Sequence, residues 1–146
     1  MPFEPIRVLI LIDDTRGYCA KLIPRMKLLL EQRAFVVDTH RIQDGEIDIT
    51  PYKGLILGSP CFGLAIKGVG PTEELVQYVQ QFMPDLEEYG VAVFCAYEAR
   101  PGLTLERMKG LVKGCGGTIV AAHGYSILRP TRGDHIIPTE CMVRIR

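Results

Sequence analysis

Continuous apolar runs alternate along the chain with stretches in which apolar residues recur every three or four positions. Runs of this length that are rich in β-branched residues predict strands buried on both faces of a sheet. The predicted strands are IRVLILI (6–12), AFVVDTHRI (34–42), GLILGS (54–59), GVAVFCAY (90–97) and TIVAAHG (118–124).

The intervening stretches have the period of amphipathic helices. They are TRGYCAKLIPRMKLLLEQR (15–33), GPTEELVQYVQQFMPDL (70–86) and PGLTLERMKGLVKGCGG (101–117). Thr72 is a plausible N-cap of the second helix. Pro24 interrupts the pattern of the first and is expected in its first turns or at a kink. The stretch 129–146 shows no clear period, so we expect it to be irregular, with the last helix uncertain.

Strands that alternate with helices imply parallel pairing through right-handed crossovers. The sequence therefore predicts a single α/β domain over residues 1–146, a three-layer doubly wound fold around a five-stranded parallel sheet. The expected strand order is 2-1-3-4-5, in which ligands bind outside the carboxyl ends of the strands.

Composition narrows the possible partners. The chain has 17 basic residues (Lys and Arg) and 17 acidic residues (Asp and Glu), so its net charge is zero. It therefore lacks the overall positive charge that is typical of nucleic-acid-binding proteins. The last stretch is locally basic, with Arg129, Arg132, Arg144 and Arg146, and this favours either an anionic partner or a solvated tail. No apolar run is long enough to span a bilayer, and the start lacks the pattern of a signal peptide. We expect a cytoplasmic protein without a membrane partner.

Three loops after strands 1, 3 and 4 carry residues that are unusual for simple connections: DDTRGYC (13–19), SPCFG (59–63) and YEARPG (97–102). Thr15, Arg16 and Gly17 at the start of a helix suit a phosphate, although they also suit an ordinary helix cap. Phe62 suits a planar ligand or the core, and Tyr97 suits ring stacking or a half-buried strand end. The sequence alone leaves each pair of interpretations open.

These loops carry a resemblance to the flavodoxin-like family of FMN-binding proteins. YKGLILGSPCFG (52–63) is similar to the third strand of that family and its Gly-Ser/Thr-Pro-x-Tyr/Phe-Gly loop. YEARPGLTLERMKGLVKGCGGTIV (97–120) resembles the segment that follows the fourth strand, and GYSILRP (124–130) resembles a stretch of flavodoxin domains in ferredoxin-associated proteins.

The resemblance implies an FMN-binding protein that carries electrons between redox partners, or a flavin-dependent reductase. It assigns the phosphate to the first loop and the two sides of the isoalloxazine ring to the other two loops. The implied FMN-binding residues are Asp14, Thr15, Arg16, Gly17, Tyr18, Cys19, Ser59, Pro60, Cys61, Phe62, Gly63, Tyr97, Glu98, Ala99, Arg100 and Gly102. No catalytic side chain and no metal ligand is implied, and the partner is a redox protein or a larger redox complex.

The first loop departs from the family pattern Ser/Thr-x-Thr-Gly-x-Thr. With Gly17 aligned, the three hydroxyl positions hold Asp14, Arg16 and Cys19, and a carboxylate there repels phosphate. This departure motivates an alternative, a flavodoxin-like domain that has lost FMN and serves as an interaction module of a redox assembly, with a homodimer also possible.

Two further alternatives depend on single features. The acidic pair Asp13 and Asp14 resembles that of a phosphotransfer receiver, but no carboxylate follows strand 3. Five cysteines without a CxxC pair indicate reduced thiols, of which Cys19, Cys61 and Cys95 are predicted to lie near one sheet edge, where they suit either a redox or metal cluster or the core.

Overall fold

The computed structural model describes residues 5–61, 71–98, 102–129 and 132–145. Five parallel strands form one sheet in the order β2-β1-β3-β4-β5, as the sequence predicts. Their bounds are β1 Ile6–Ile12, β2 Phe35–Arg41, β3 Gly54–Pro60, β4 Gly90–Tyr97 and β5 Thr118–Ser126. The long β-branched runs explain the central strands, because β1, β3 and β4 are covered on both faces.

Helices cover both faces and complete the three layers. Their bounds are α1 Ile23–Glu31, α2 Glu73–Phe82, α3 Thr104–Gly114 and α4 Ile136–Arg144. Side chains of α1 and α4 join one core with residues such as Ile10 and Phe94. Side chains of α2 and α3 join the second core, which contains Leu11 and Val93. Alternate residues of each strand therefore serve opposite cores, which fixes the direction of every side chain at the strand ends.

The chain between β1 and α1 differs from the predicted continuous helix. Two short 3₁₀ turns, Thr15–Gly17 and Ala20–Leu22, precede α1, which begins only at Ile23. Gly17 adopts a left-handed φ of 69°, which interrupts a helix, and Pro24 lies in the first turn of α1, where its missing N–H is not needed. The first loop therefore does not open directly onto an α-helix.

The predicted irregular C-terminal stretch contains a helix. Ile137, Cys141 and Ile145 recur every four residues and are all buried in the core beside α1. Pro138 lies in the first turn of α4 and so leaves its hydrogen bonds intact. The expectation of an irregular segment over 129–146 is wrong for residues 136–144, because this one apolar stripe is enough to dock a short helix.

Within the described residues, no helix combines the length and the apolar character needed to cross a membrane. Thr72 is the N-cap of α2, as predicted, since its side chain accepts a hydrogen bond from the Leu75 amide. Pro60, which the sequence pattern places in the loop after strand 3, is instead the last residue of β3. The next amide, that of Cys61, donates to the Ala96 carbonyl at 3.0 Å. The β3–β4 ladder therefore continues one residue beyond the strand.

Candidate functional site

The loops after β1, β3 and β4 meet at one edge of the sheet, as the strand order requires. The Tyr18 hydroxyl, after β1, donates to the Glu98 carboxylate, after β4. Backbone bonds join the same edge, because the Asp13 amide donates to the Gly58 carbonyl at 3.0 Å. The described parts of the predicted site are thus neighbours in space.

Asp13, directly after β1, is the centre of this edge. Its side chain is fully buried, with 0% exposure. Oδ1 accepts from the Thr15 amide at 2.9 Å, from the Thr15 hydroxyl at 2.5 Å and from the Gln43 amide nitrogen at 2.7 Å. Oδ2 accepts from the Thr72 hydroxyl. Burial raises the pKa of Asp13, but these hydrogen bonds outweigh it and the net pKa is lowered, so the carboxylate is charged at neutral pH.

Thr72 connects this carboxylate to β3. Its backbone amide donates to the Ser59 hydroxyl at 3.1 Å, and that hydroxyl donates to the Pro60 carbonyl at 2.9 Å. Ser59 is fully buried. The hydroxyl that the resemblance assigns to the flavin ring therefore ties β3 to the start of α2.

Asp14 lies beside Asp13 and faces β2. Its Oδ2 accepts from the Arg41 guanidinium at 3.2 Å, and its backbone amide donates to Gln43 Oε1 at 3.2 Å. Arg41 also binds Asp44 at 2.8 Å. These bonds to two carboxylates raise the pKa of Arg41 and keep it charged. Arg41 is therefore shared between two carboxylates, those of Asp14 and Asp44.

The first loop contains two carboxylates, and several of its hydrogen-bond donors already have acceptors within the chain. The amide and hydroxyl of Thr15 both donate to Asp13, and the Gly17 amide donates to the Asp14 carbonyl at 2.9 Å. The side chain of Arg16 lies outside the described residues. Both donors of Thr15 are therefore engaged by the Asp13 carboxylate, and the Gly17 amide is engaged by a backbone carbonyl.

The predicted thiol cluster is divided by the sheet. Cys61 and Cys95 contact each other on the α3 side, where the Thr104 hydroxyl also approaches Cys61. Hydrogen bonding to Cys61 and burial raise the pKa of Cys95, whereas the same contact lowers the pKa of Cys61. Cys19 belongs to the opposite core, and burial raises its pKa. None of the five cysteines forms a disulfide, and the described residues contain no group of His, Cys, Asp and Glu suited to a metal ion.

The remaining predicted residues differ in how far the structure describes them. Tyr97 is half-buried at the end of β4. Gly102 precedes α3 with a left-handed φ of 56°. Phe62, Gly63, Ala99 and Arg100 lie outside the described residues, so their assignment to a flavin ring remains a prediction.

A cavity lies at the end of β5, beside Tyr97. Its volume is about 410 Å³. Its lining consists of Tyr97, His123, Gly124, Ser126, Leu128, Arg129 and Arg132. Sequence reasoning noted the two arginines as a basic tail but did not connect them with His123 or Ser126. It also omitted Gln43 and Arg41, although the strand order places the end of β2 beside the first loop.

Solved structures share this fold. A two-electron reduced flavodoxin from Megasphaera elsdenii matches with a TM-score of 0.77 at 15% identity, over 94% of this chain and 98% of that chain. Oxidised Flavodoxin 1 from Bacillus cereus matches with a TM-score of 0.70 at 16% identity, over 95% and 94% of the two chains. The Flv1 flavodiiron core from Synechocystis sp. PCC6803 matches at 0.73 and 10% identity, over 96% of this chain and 36% of that one.

These likenesses establish that the chain has the flavodoxin-like fold, which the sequence resemblance predicts. No protein-family model matches the sequence, and no curated protein matches it. Function therefore has to be argued from the residues at the sheet edge.

Proposed function

We propose that the protein is a flavodoxin-like module of a redox assembly that acts through protein contacts and does not hold FMN tightly. The observation that carries this proposal is the buried Asp13 carboxylate, which accepts from both donors of Thr15 in the first loop and from the neighbouring Gln43 and Thr72. The fold also occurs as one part of larger redox chains, since this chain matches 36% of the Synechocystis flavodiiron core and 35% of the rubredoxin:oxygen oxidoreductase from Desulfovibrio gigas.

The phosphate end of an FMN site does not fit the described residues. A phosphate there needs hydrogen-bond donors and a positive potential. Asp13 accepts four hydrogen bonds from this region, and Asp14 adds a second carboxylate that is paired with Arg41. A phosphate would have to compete with both carboxylates for the same donors.

The electrostatic cost of that competition is a substantial fraction of the binding free energy of a typical cofactor, which is about 8–12 kcal/mol for micromolar to nanomolar affinity. Two unit charges about 5 Å apart interact by about 3 kcal/mol at an effective dielectric constant of about 20. A phosphate dianion beside a carboxylate therefore loses several kcal/mol, or about a thousandfold or more in affinity. The charged state of Asp13 is secured by its hydrogen bonds, so protonation does not relieve this repulsion at neutral pH.

The second candidate is an FMN-dependent electron carrier. It is favoured by the end-to-end match with the Megasphaera elsdenii flavodoxin, which covers 98% of that chain. When bound, FMN would supply the electron-transfer chemistry. The two candidates share the fold and differ only in whether the sheet edge accepts the flavin phosphate.

Flavin titration of the purified wild-type protein and two variants separates them. Asp13→Ser removes the carboxylate and frees the Thr15 donors, and Asp85→Ser removes a surface carboxylate that binds only the nearby Glu87 amide among described groups. We expect a colourless wild-type protein, at least tenfold tighter FMN binding by the folded Asp13→Ser variant, and no change in Asp85→Ser. Tight one-to-one FMN uptake by the wild type would establish the electron carrier instead.

A further inference from the structure

We propose that the cavity at the end of β5 is a binding site for a small oxyanion, the phosphate or carboxylate group of a small molecule. This inference is independent of the proposed function, because it requires no flavin and uses none of the residues of the first loop. It follows from the way the cavity is built, from the charges that line it and from its size.

The first wall of the cavity is an extension of the sheet. Tyr97 and Ser126 are register partners at the ends of β4 and β5. The Ile127 amide donates to the Tyr97 carbonyl at 2.9 Å, and the Leu128 amide donates to the Ser126 hydroxyl oxygen at 3.2 Å. The Arg129 amide closes the turn on the Ser126 carbonyl at 3.2 Å. Arg129 therefore extends from a hydrogen-bonded turn that is anchored to two strands.

The second wall is the segment that returns toward α4. The Arg132 amide donates to the Arg129 carbonyl at 3.1 Å. Gly133 has a left-handed φ of 73°, and a Cβ there would lie 2.5 Å from His123 Nε2. Only glycine allows this close approach. The segment is thus shaped to bring the Arg132 backbone against the His123 ring.

His123 belongs to the wall and contributes no charge. Burial lowers its pKa, and the nearby His135 lowers it further, although the Arg132 backbone carbonyl acts in the opposite direction. Its ring also packs edge-to-face on Tyr125, with centroids 4.7 Å apart. The positive charge of the cavity therefore comes from the two guanidinium groups.

Those two charges are available to a ligand. No carboxylate is among the described residues that line the cavity, and the neighbouring Asp134 binds Arg25 at 3.0 Å. Among the residues that the structure describes, neither Arg129 nor Arg132 forms an ion pair. Tyr97 and Ser126 add hydroxyl groups to the lining. Such a lining offers donors without a competing anion, the reverse of the first loop.

The shape of the site favours a small molecule over an acidic protein surface. A volume of about 410 Å³ lies in the range of about 300–1,000 Å³ that is usual for small-molecule sites. A guanidinium group binds two oxygens of a planar carboxylate or of a tetrahedral phosphate at once. Two such groups in a concave site therefore suit either anion. Leu128, 76% exposed at the rim, provides an apolar contact for the body of such a ligand.

The test is a titration of the full chain with inorganic phosphate, and in parallel with succinate, followed through the NMR signals of the His123 ring. We expect saturable shifts with at least one of the two anions. Arg129→Gln and Arg132→Gln should each weaken binding about tenfold, and the double variant should abolish it. Lys113→Gln, the control, removes one positive charge at the far end of α3 and should bind like the wild type.

The two anions distinguish phosphate from carboxylate chemistry, and saturation by either supports the site. Absence of saturable shifts with both anions would overturn the proposal. An equal loss of affinity in Lys113→Gln would also overturn it, since that result would mean a response to net charge alone. Circular dichroism spectra of the variants confirm that any loss occurs in folded protein.

Discussion

Two regions at the same edge of the sheet use charge in opposite ways. After β1, the buried Asp13 carboxylate accepts four hydrogen bonds and is part of the folded framework. After β5, the exposed Arg129 and Arg132 line a cavity without an ion pair among the described residues. A charge whose partners are supplied by the chain stabilises the fold, whereas a charge without them is available for binding. This difference is the basis for proposing an anion site in the β5 cavity and not at the first loop.

The largest expected effect is the loss of the Asp13 carboxylate. Asp13→Ala leaves the buried hydroxyl of Thr72 and the Thr15 donors without their acceptor, so the free energy of unfolding should fall by about 3 kcal/mol or more. Urea unfolding measures this loss. Asp85→Ala removes an exposed carboxylate and should stay within about 0.5 kcal/mol of the wild type. A similar small effect for Asp13→Ala would show that the network does not support the fold.

The next effect concerns the frame of the β5 cavity. Gly133→Ala places a Cβ against His123 in a left-handed conformation and should cost about 1–2 kcal/mol. Thermal unfolding measures the loss of stability, and the NMR signals of the His123 ring report the displacement of that ring. Gly110→Ala, inside α3 with open space around its Cβ, is the matched control and should be neutral or stabilising. Equal behaviour of the two variants would contradict the close packing of the second wall.

A smaller and pH-dependent effect is expected for Asp13→Asn, because asparagine keeps part of the hydrogen-bonding shape. The folded-state pKa of Asp13 is lowered below its unfolded value of about 3.9. The stabilisation is therefore fully present above that unfolded value and is lost as the pH falls through the folded pKa. The difference in unfolding free energy between wild type and Asp13→Asn should shrink below about pH 4. A difference that is constant from pH 2 to 7 would contradict a charged Asp13.

The smallest expected effect on stability is that of removing the two cavity arginines, in contrast to the loss of Asp13. Arg129→Gln and Arg132→Gln remove exposed charges without an ion pair in the described part of the chain, so each should change stability by less than about 0.5 kcal/mol. Urea unfolding in buffer without phosphate or carboxylates measures this. A loss above about 1 kcal/mol would mean that these arginines, like Asp13, are structural.

The sheet could be predicted from the sequence because its signal is local. Continuous runs such as Ile6–Ile12 and Gly90–Tyr97 are buried on both faces, and the alternation with helices implies parallel pairing through right-handed crossovers. The helix α4 was missed because its signal is a single stripe, Ile137, Cys141 and Ile145, interrupted by a proline. That stripe becomes visible only when the core beside α1 is known.

The site was harder to predict because it depends on contacts across distant positions. Asp13 and Thr72 are 59 residues apart, and Asp13 and Gln43 are 30 apart. The sequence showed an unusual loop and a plausible N-cap, but it did not show that one carboxylate joins them. The β5 cavity likewise depends on the left-handed Gly133, which brings Arg132 back toward His123.

The central claim is that Asp13 and Asp14 occupy the Thr15 and Arg41 donors that a phosphate at the first loop would need, and it is tested most directly by comparing FMN with riboflavin. The two ligands share the ring and differ in the phosphate. Isothermal titration of the wild-type protein should show that FMN binds no more tightly than riboflavin. Binding of FMN that is ten or more times tighter than that of riboflavin would show that the loop accepts the phosphate, and would contradict this account.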